Sequence, residues 1–200
     1  MAERFLGLQW RATCYGIFVN ECKRAEQIFR GPMEFKLKTI SPEGIEEALS
    51  KIELYRFLNE PEEAESICQD VLAVAPGHQL ALRALGLTIT YQFTGDPTDR
   101  YAEVENAFQQ LTDRYERLYY MGLLHERRAK AQLRAGRPPH TLLVLLEEAM
   151  RSYEEAEKIR PTGNDDAILR WNRCARLIHA HAESEWHREV ELFELGDTAP

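Results

Sequence analysis

Two hundred residues, 44% hydrophobic and 29% charged, are enough for one domain or one short array of helices with a sizeable core. A formal charge of −8 argues against general nucleic-acid binding, which needs cationic surface to release counterions, and no run approaches the ~20 apolar residues of a membrane span. Arg4 and Arg11 bracket too short an apolar stretch for a signal peptide, and Cys14, Cys22, Cys68 and Cys174 lack metal-ligand spacing, so a reducing cytoplasm is the expected setting.

Residues 1–40 read as an N-terminal helical segment and linker. Phe5, Leu8, Ala12, Tyr15, Phe18, Cys22, Ala25 and Phe29 recur as a broad apolar face, and Gly31-Pro32 ends it. This segment is expected either to cap an open end of the fold, or to make a partner or homodimer contact through Trp10, Tyr15, Phe18 and Phe29. A third reading makes it an extension upstream of a natural start at Met33. Charge changes sign beyond it: the first forty residues carry seven Lys/Arg against four Asp/Glu, and residues 41–76 two against nine. Ser41-Pro42-Glu43-Gly44 reads as a helix start, with the serine side chain available to free amides.

From Ile45 to Gly86 the pattern is a helical hairpin. Ile45, Ala48, Leu49, Ile52 and Tyr55 recur at helical spacing, Asn59-Glu60-Pro61 breaks the run, and Ala64, Ile67, Cys68, Val71 and Leu72 make a second stripe that Pro76-Gly77 ends. Cys68 sits in that stripe as a small hydrophobe. A hairpin of this length cannot bury its stripe alone and needs a neighbour, as solenoid units do. A further helix is predicted from about His78 to Phe93 and, after the turn Thr94-Gly95-Asp96-Pro97, another from Asp99 to about Arg114. Leu118–Ala135, the turn Gly136-Arg137-Pro138-Pro139 and His140–Lys158 form a third hairpin. The uniformly apolar Thr141–Leu146 stretch is expected to be buried on several sides. The last helix, from about Asp166 to Glu191 or beyond, is expected to be capped by Asn164 or Asp165 and to bury Ile168, Trp171, Ala175 and Ile178. Residues 196–200 are expected to fray.

Tyr55, Ala64, Cys68, Val71 and Pro76, followed by Leu85-Gly86, fall at the spacing of the tetratricopeptide repeat, and Ala149, Tyr153, Ala156 and Pro161 repeat its second-helix pattern. The chain therefore resembles that family, with Val71 in place of the usual alanine and Asn59 in place of the usual glycine. Pro76 and Pro161 lie two and a half periods of ~34 residues apart, so some helices must be lengthened. The resemblance implies an all-α, right-handed superhelix of about three helical hairpins over residues 41–195, with extra N-terminal and C-terminal helices. It also implies a non-catalytic scaffold or adaptor that binds a protein or peptide segment in a concave groove. Carried over by position, the groove residues are Leu49, Glu53, Arg56, Phe57, Arg83, Leu87, Thr90 and Tyr91, with Asn172 and Arg176 from the last helix. The subgroup that clamps a terminal carboxylate uses Lys, Asn and Arg where this chain has Leu49, Glu53 and Leu87, so that ligand is not expected. A small secretion chaperone is the alternative within the binding class.

Two constellations stand apart from the groove. Residues 114–137 hold Arg114, Arg117, Arg127, Arg128, Lys130, Arg134 and Arg137 against only Glu116 and Glu126, with Tyr115, Tyr119 and Tyr120 interleaved. Such a stretch suits an acidic partner or, as the plainer alternative, a solvated helix face paired with the acidic first hairpin. Arg170 or Arg173 is expected to pair with Glu126 or Glu157. His179, Glu183 and His187 share one helix face and are weak metal candidates, because three ligands on successive turns span too far for one ion. A metal-dependent accessory subunit is the reading from another class. Catalytic grammar such as GxSxG, HExxH or a phosphate-cradling glycine loop is missing, so neither enzyme activity nor a cofactor is expected.

Overall fold

Every regular element among residues 35–196, which the computed structural model describes (side chains as far as His181), is helical. A 3-10 turn at Pro42–Gly44 leads into α1 (Ile45–Phe57), followed by α2 (Pro61–Val74), α3 (Gln79–Tyr91) and α4 (Tyr101–Gln109). The long α5 (Arg114–Arg134), a second 3-10 turn (Pro139–Leu142), α6 (Leu143–Lys158) and α7 (Asp166–Gly196) complete it. All of these lie in the unit Thr39–Pro200, and residues 35–40 have no regular structure. The expected N-terminal helix with its aromatic contact surface, and the expected fraying of the tail, concern residues outside the described ones.

Each helix packs on its neighbours in the chain, and α1, α3, α5 and α7 also touch one another in turn. One core gathers Ile52, Ala64, Cys68, Val71, Leu82, Leu85, Ile89, Phe108 and Leu111 from the first four helices and their connections, with Leu123 and Leu124 of α5. A second gathers Ala129, Leu142, Leu146, Ala149, Tyr153, Ala156, Ala167 and Cys174. Because α5 contributes to both, it joins the two halves.

Small residues set the hairpin spacing. Ala64 of α2 is wholly buried. A Cβ on Gly86 of α3 would lie 2.2 Å from the Phe108 ring of α4, and one on Gly122 of α5 would lie 2.8 Å from the Tyr153 ring of α6. Each glycine thus forms the socket for the large aromatic of the following helix. At the α1–α2 break Asn59 has φ of 60°, the left-handed region that Gly and Asn tolerate best, which explains why asparagine can stand where the repeat resemblance calls for glycine.

Four sequence expectations are corrected. The helix expected to run from Asp99 to about Arg114 ends at Gln109, and α5 starts at Arg114, not Leu118, because the Asp113 carboxylate accepts the Glu116 amide at 2.8 Å. That is an acidic N-cap three residues ahead of a glutamate. Ser41 makes no side-chain cap; its carbonyl takes the Gly44 amide at 3.0 Å in the 3-10 turn. In the Thr141–Leu146 stretch only Leu142 and Leu146 are buried, and Val144 is 62% exposed, because α6 offers a single stripe to α5 and α7. In α7 the fully buried positions are Ala167 and Cys174, while Ile168, Trp171, Ala175 and Ile178 are only partly covered, so the inward stripe is turned by about one residue. Asn164 does cap the start of α7, its side-chain oxygen accepting the Asp166 amide at 3.0 Å.

Candidate interaction face

The odd-numbered helices bring charged and aromatic side chains onto a shared face. Tyr91, at the last turn of α3, is half exposed. Over its ring, 4.2 Å from the centroid, lies the Arg127 guanidinium of α5. Arg127 is held there by one nitrogen, Nη1, which donates to the Thr90 hydroxyl at 2.6 Å and to the Leu87 carbonyl at 3.3 Å. Thr90 in turn donates to Leu87 O at 2.7 Å. From α1, Arg56 approaches the same tyrosine while its Nη1 bonds both oxygens of Glu53 at 2.8 and 3.0 Å; its Nε is buried without a partner. Burial pushes the Tyr91 phenol up, yet the guanidinium groups of Arg127 and Arg56 outweigh it and hold the phenol below its ordinary value. One residue of each of α1, α3 and α5 thus forms an Arg–Tyr–Arg row.

Deeper along the face, Arg83 of α3 pairs with Glu116 of α5 at 2.8 Å. Beyond it lies a fully buried carboxylate, Glu126 of α5. It accepts the Tyr153 hydroxyl of α6 at 2.8 Å, pairs with Lys130, and faces Arg170 of α7 at 3.5 Å, the pairing expected from sequence. Burial opposes charge on Arg170, but Tyr119 and Glu126 together raise its pKa.

The groove residues read from sequence divide into three groups. Arg56, Arg83 and Tyr91 take part in the contacts just described, with Glu53 holding Arg56. Leu87 and Thr90 are 8% and 3% exposed, so they support Arg127 and the core without offering surface of their own. Phe57 is 87% exposed, Leu49 packs partly against the first core, Asn172 is half buried and Arg176 is exposed, with no contact tying them to the row. Arg127 was read as part of the basic stretch and not of the groove; only the crossing of α3 and α5 places it over Tyr91.

The arginines of the basic stretch have different surroundings. Arg117 donates to Leu111 O at 2.7 Å, Arg128 lies over the Tyr101 ring at 4.3 Å, and Arg114 and Arg134 are exposed. Among the described residues none of these arginines pairs with an acid of α1 or α2; Glu65 of α2 instead takes a forked bond from Arg100 at 2.6 and 2.9 Å. The interleaved tyrosines pack together: Tyr119 stacks on Tyr115, meets Tyr120 edge-on and touches Tyr153, while Tyr115 donates to Asn164 at 3.0 Å.

Other polar clusters are smaller. Tyr101, His125 and Glu148 form a chain with contacts of 3.1 and 3.3 Å, and burial lowers the His125 pKa. Beside it a pocket of about 340 Å³ is lined by Asp96, Asp99, Tyr101, Arg128, Gln132 and Arg137. Both carboxylates there are engaged with the amides and hydroxyls of their own loop. Among the described residues no three His, Cys, Asp or Glu side chains are grouped to hold a metal; His179 is exposed, and the side chains of Glu183 and His187 lie outside the described residues. No helix among those residues is long and apolar enough to cross a membrane.

No family model, curated protein or solved structure matches the chain. The functional reading therefore rests on the side chains and their arrangement.

Proposed function

We propose that this protein is a non-catalytic interaction module, a tetratricopeptide-like right-handed superhelix that holds a peptide or protein segment of a partner on the face of α1, α3, α5 and α7. The observation that carries the reading is the Arg56–Tyr91–Arg127 row, built from three helices far apart in sequence and left partly open to solvent. Arginine and tyrosine are the side chains that anchor protein interfaces most effectively, because each offers a large flat contact area with directional polar groups. Phe57 at the end of α1, a groove position by the repeat resemblance, adds exposed apolar surface. Support for the repeat reading comes from the glycine sockets, the left-handed Asn59 and the contacts between alternate helices. A cytoplasmic setting accords with the unpaired, buried thiols of Cys68 and Cys174.

Affinity capture with the full chain, against a Phe57→Ala/Tyr91→Ala control, tests the reading. Both side chains are exposed enough to be removed without opening the core. The proposal expects a partner that the control loses while its helical circular dichroism and melting are retained; equal capture by both proteins would reject this face.

A further inference from the structure

The proposed face is cationic on a chain that is anionic overall. Arg56, Arg83, Arg127, Lys130 and Arg170 meet only Glu53, Glu116 and Glu126, whereas the whole chain carries 33 acidic against 25 basic residues. Four of those cations have a carboxylate within pairing distance, and Glu126 is shared between two of them. Among the described residues Arg127 has none: its bonds go to the Thr90 hydroxyl, the Leu87 carbonyl and the Tyr91 phenol, whose ring it also covers.

Neutral partners leave the guanidinium charge in place. Two of those bonds leave from a single nitrogen, Nη1, and the Tyr91 phenol takes one further donor, so two of the five guanidinium N–H groups are left for another acceptor. A carboxylate takes a pair of guanidinium donors with two parallel hydrogen bonds. The Thr90 and Leu87 contacts and the Tyr91 ring hold the group in one orientation before anything binds, so little ordering is required when a partner arrives. The lowered Tyr91 pKa is what a surplus of positive charge at this spot produces.

We infer that the partner segment held on this face is an acidic peptide, with one of its Asp or Glu carboxylates seated on Arg127 beside Tyr91. The inference rests on the proposed interaction function and names the chemistry of its ligand. Phe57, beyond the row on α1, offers contact for an apolar residue of the same peptide.

Selecting peptides from a random displayed library on the full-length protein tests this directly. The selected pool is expected to be enriched in Asp and Glu. Its best member should bind the Arg127→Gln protein at least about tenfold more weakly, as loss of a charged hydrogen-bonding group implies. Arg127→Lys, which retains charge but loses the fork, should fall between, and affinity should decline as salt is raised. Arg151→Gln, on exposed α6 surface, should bind as the parent does. Melting curves establish that each variant is folded. A pool that depends on Tyr91 but lacks acidic enrichment, or that binds Arg127→Gln unchanged, overturns the acidic-peptide inference and leaves the interaction face standing. A pool insensitive to Tyr91→Ala removes both. Sedimentation of the protein alone that shows a dimer abolished by Arg127→Gln would make the occupant a second copy of this chain, which also overturns the inference.

Discussion

Glu126 offers the sharpest test of how the two halves are joined. It is fully buried on α5, accepts the Tyr153 hydroxyl from α6 at 2.8 Å and faces Arg170 of α7 at 3.5 Å, so one carboxylate ties three helices. Burial and then the Glu126 charge push the Tyr153 phenol well above its ordinary value, so it remains a donor at any working pH. Replacing Glu126 with Ala leaves that hydroxyl inside the core with no acceptor. Breaking a buried ion pair costs about 3–5 kcal/mol when the partner charge stays buried. Here Lys130 and Arg170 are 27% and 37% exposed and can turn to water. The cost should therefore sit near the lower end, about 3 kcal/mol, mostly the charged hydrogen bond and the void. Melting should fall by about 6–12 °C for a domain of this size. Urea unfolding followed by circular dichroism measures it, with Tyr153→Phe costing about 1.5–3 kcal/mol. The double variant Glu126→Leu/Tyr153→Phe should cost less than the sum of its two single changes by at least about 1 kcal/mol, since no orphaned hydroxyl remains. A Glu126→Ala loss below about 1 kcal/mol, or strict additivity in the double variant, would refute the coupling.

Three further outcomes follow from the packing. Gly86→Ala should destabilise by about 1–3 kcal/mol in urea unfolding despite alanine's better helix propensity, because its methyl group meets the Phe108 ring; Gly86→Ala/Phe108→Leu should recover part of the loss. Asn59→Val should cost about 1–2 kcal/mol and Asn59→Gly little or nothing, read by the same unfolding curves, since only the former resists a φ of 60°. Burial pushes the Cys68 and Cys174 thiols up to about 12. In a Cys14→Ser/Cys22→Ser background they should resist alkylation until the chain unfolds. Because the native state keeps these protons when the unfolded chain loses them near the ordinary thiol value of 9.0, stability should fall as pH rises from about 9 towards 12 and be insensitive to these groups below that window.

Helical periodicity and proline stops made most of α1, α2 and α6 legible, because each turns one stripe inward and a proline follows it closely, at Pro61, Pro76 and Pro161. α3, buried on almost every side, was bounded by Pro76-Gly77 and the Thr94–Pro97 turn. Ala64 was readable as core from its helical stripe, and Ala149, Tyr153 and Ala156 from the repeat resemblance. The position of the break between α4 and α5 was not, although Asp113 and Glu116 carried the signal: an apolar period runs across Leu111 and hides the cap. Thr141–Leu146 misled for the opposite reason. Apolar composition says nothing about which neighbours exist, and among the described residues α6 packs mainly on α5 and α7. The interaction row was half legible. Arg56 and Tyr91 followed from repeat position, but Arg127 reaches Tyr91 only through the crossing of α3 and α5, which no local pattern encodes. The same crossing explains why Leu87 and Thr90, assigned to the surface by position, are buried beneath a guanidinium.

The central claim is that a partner segment lies across the odd-numbered helices. Amide chemical-shift mapping of the full chain, titrated with the peptide selected as above, tests it most directly. The account expects the saturating shifts to cluster at Arg56–Phe57 of α1, Thr90–Tyr91 of α3 and Glu126–Arg127 of α5. Shifts concentrated on α2, α4 and α6 would contradict it.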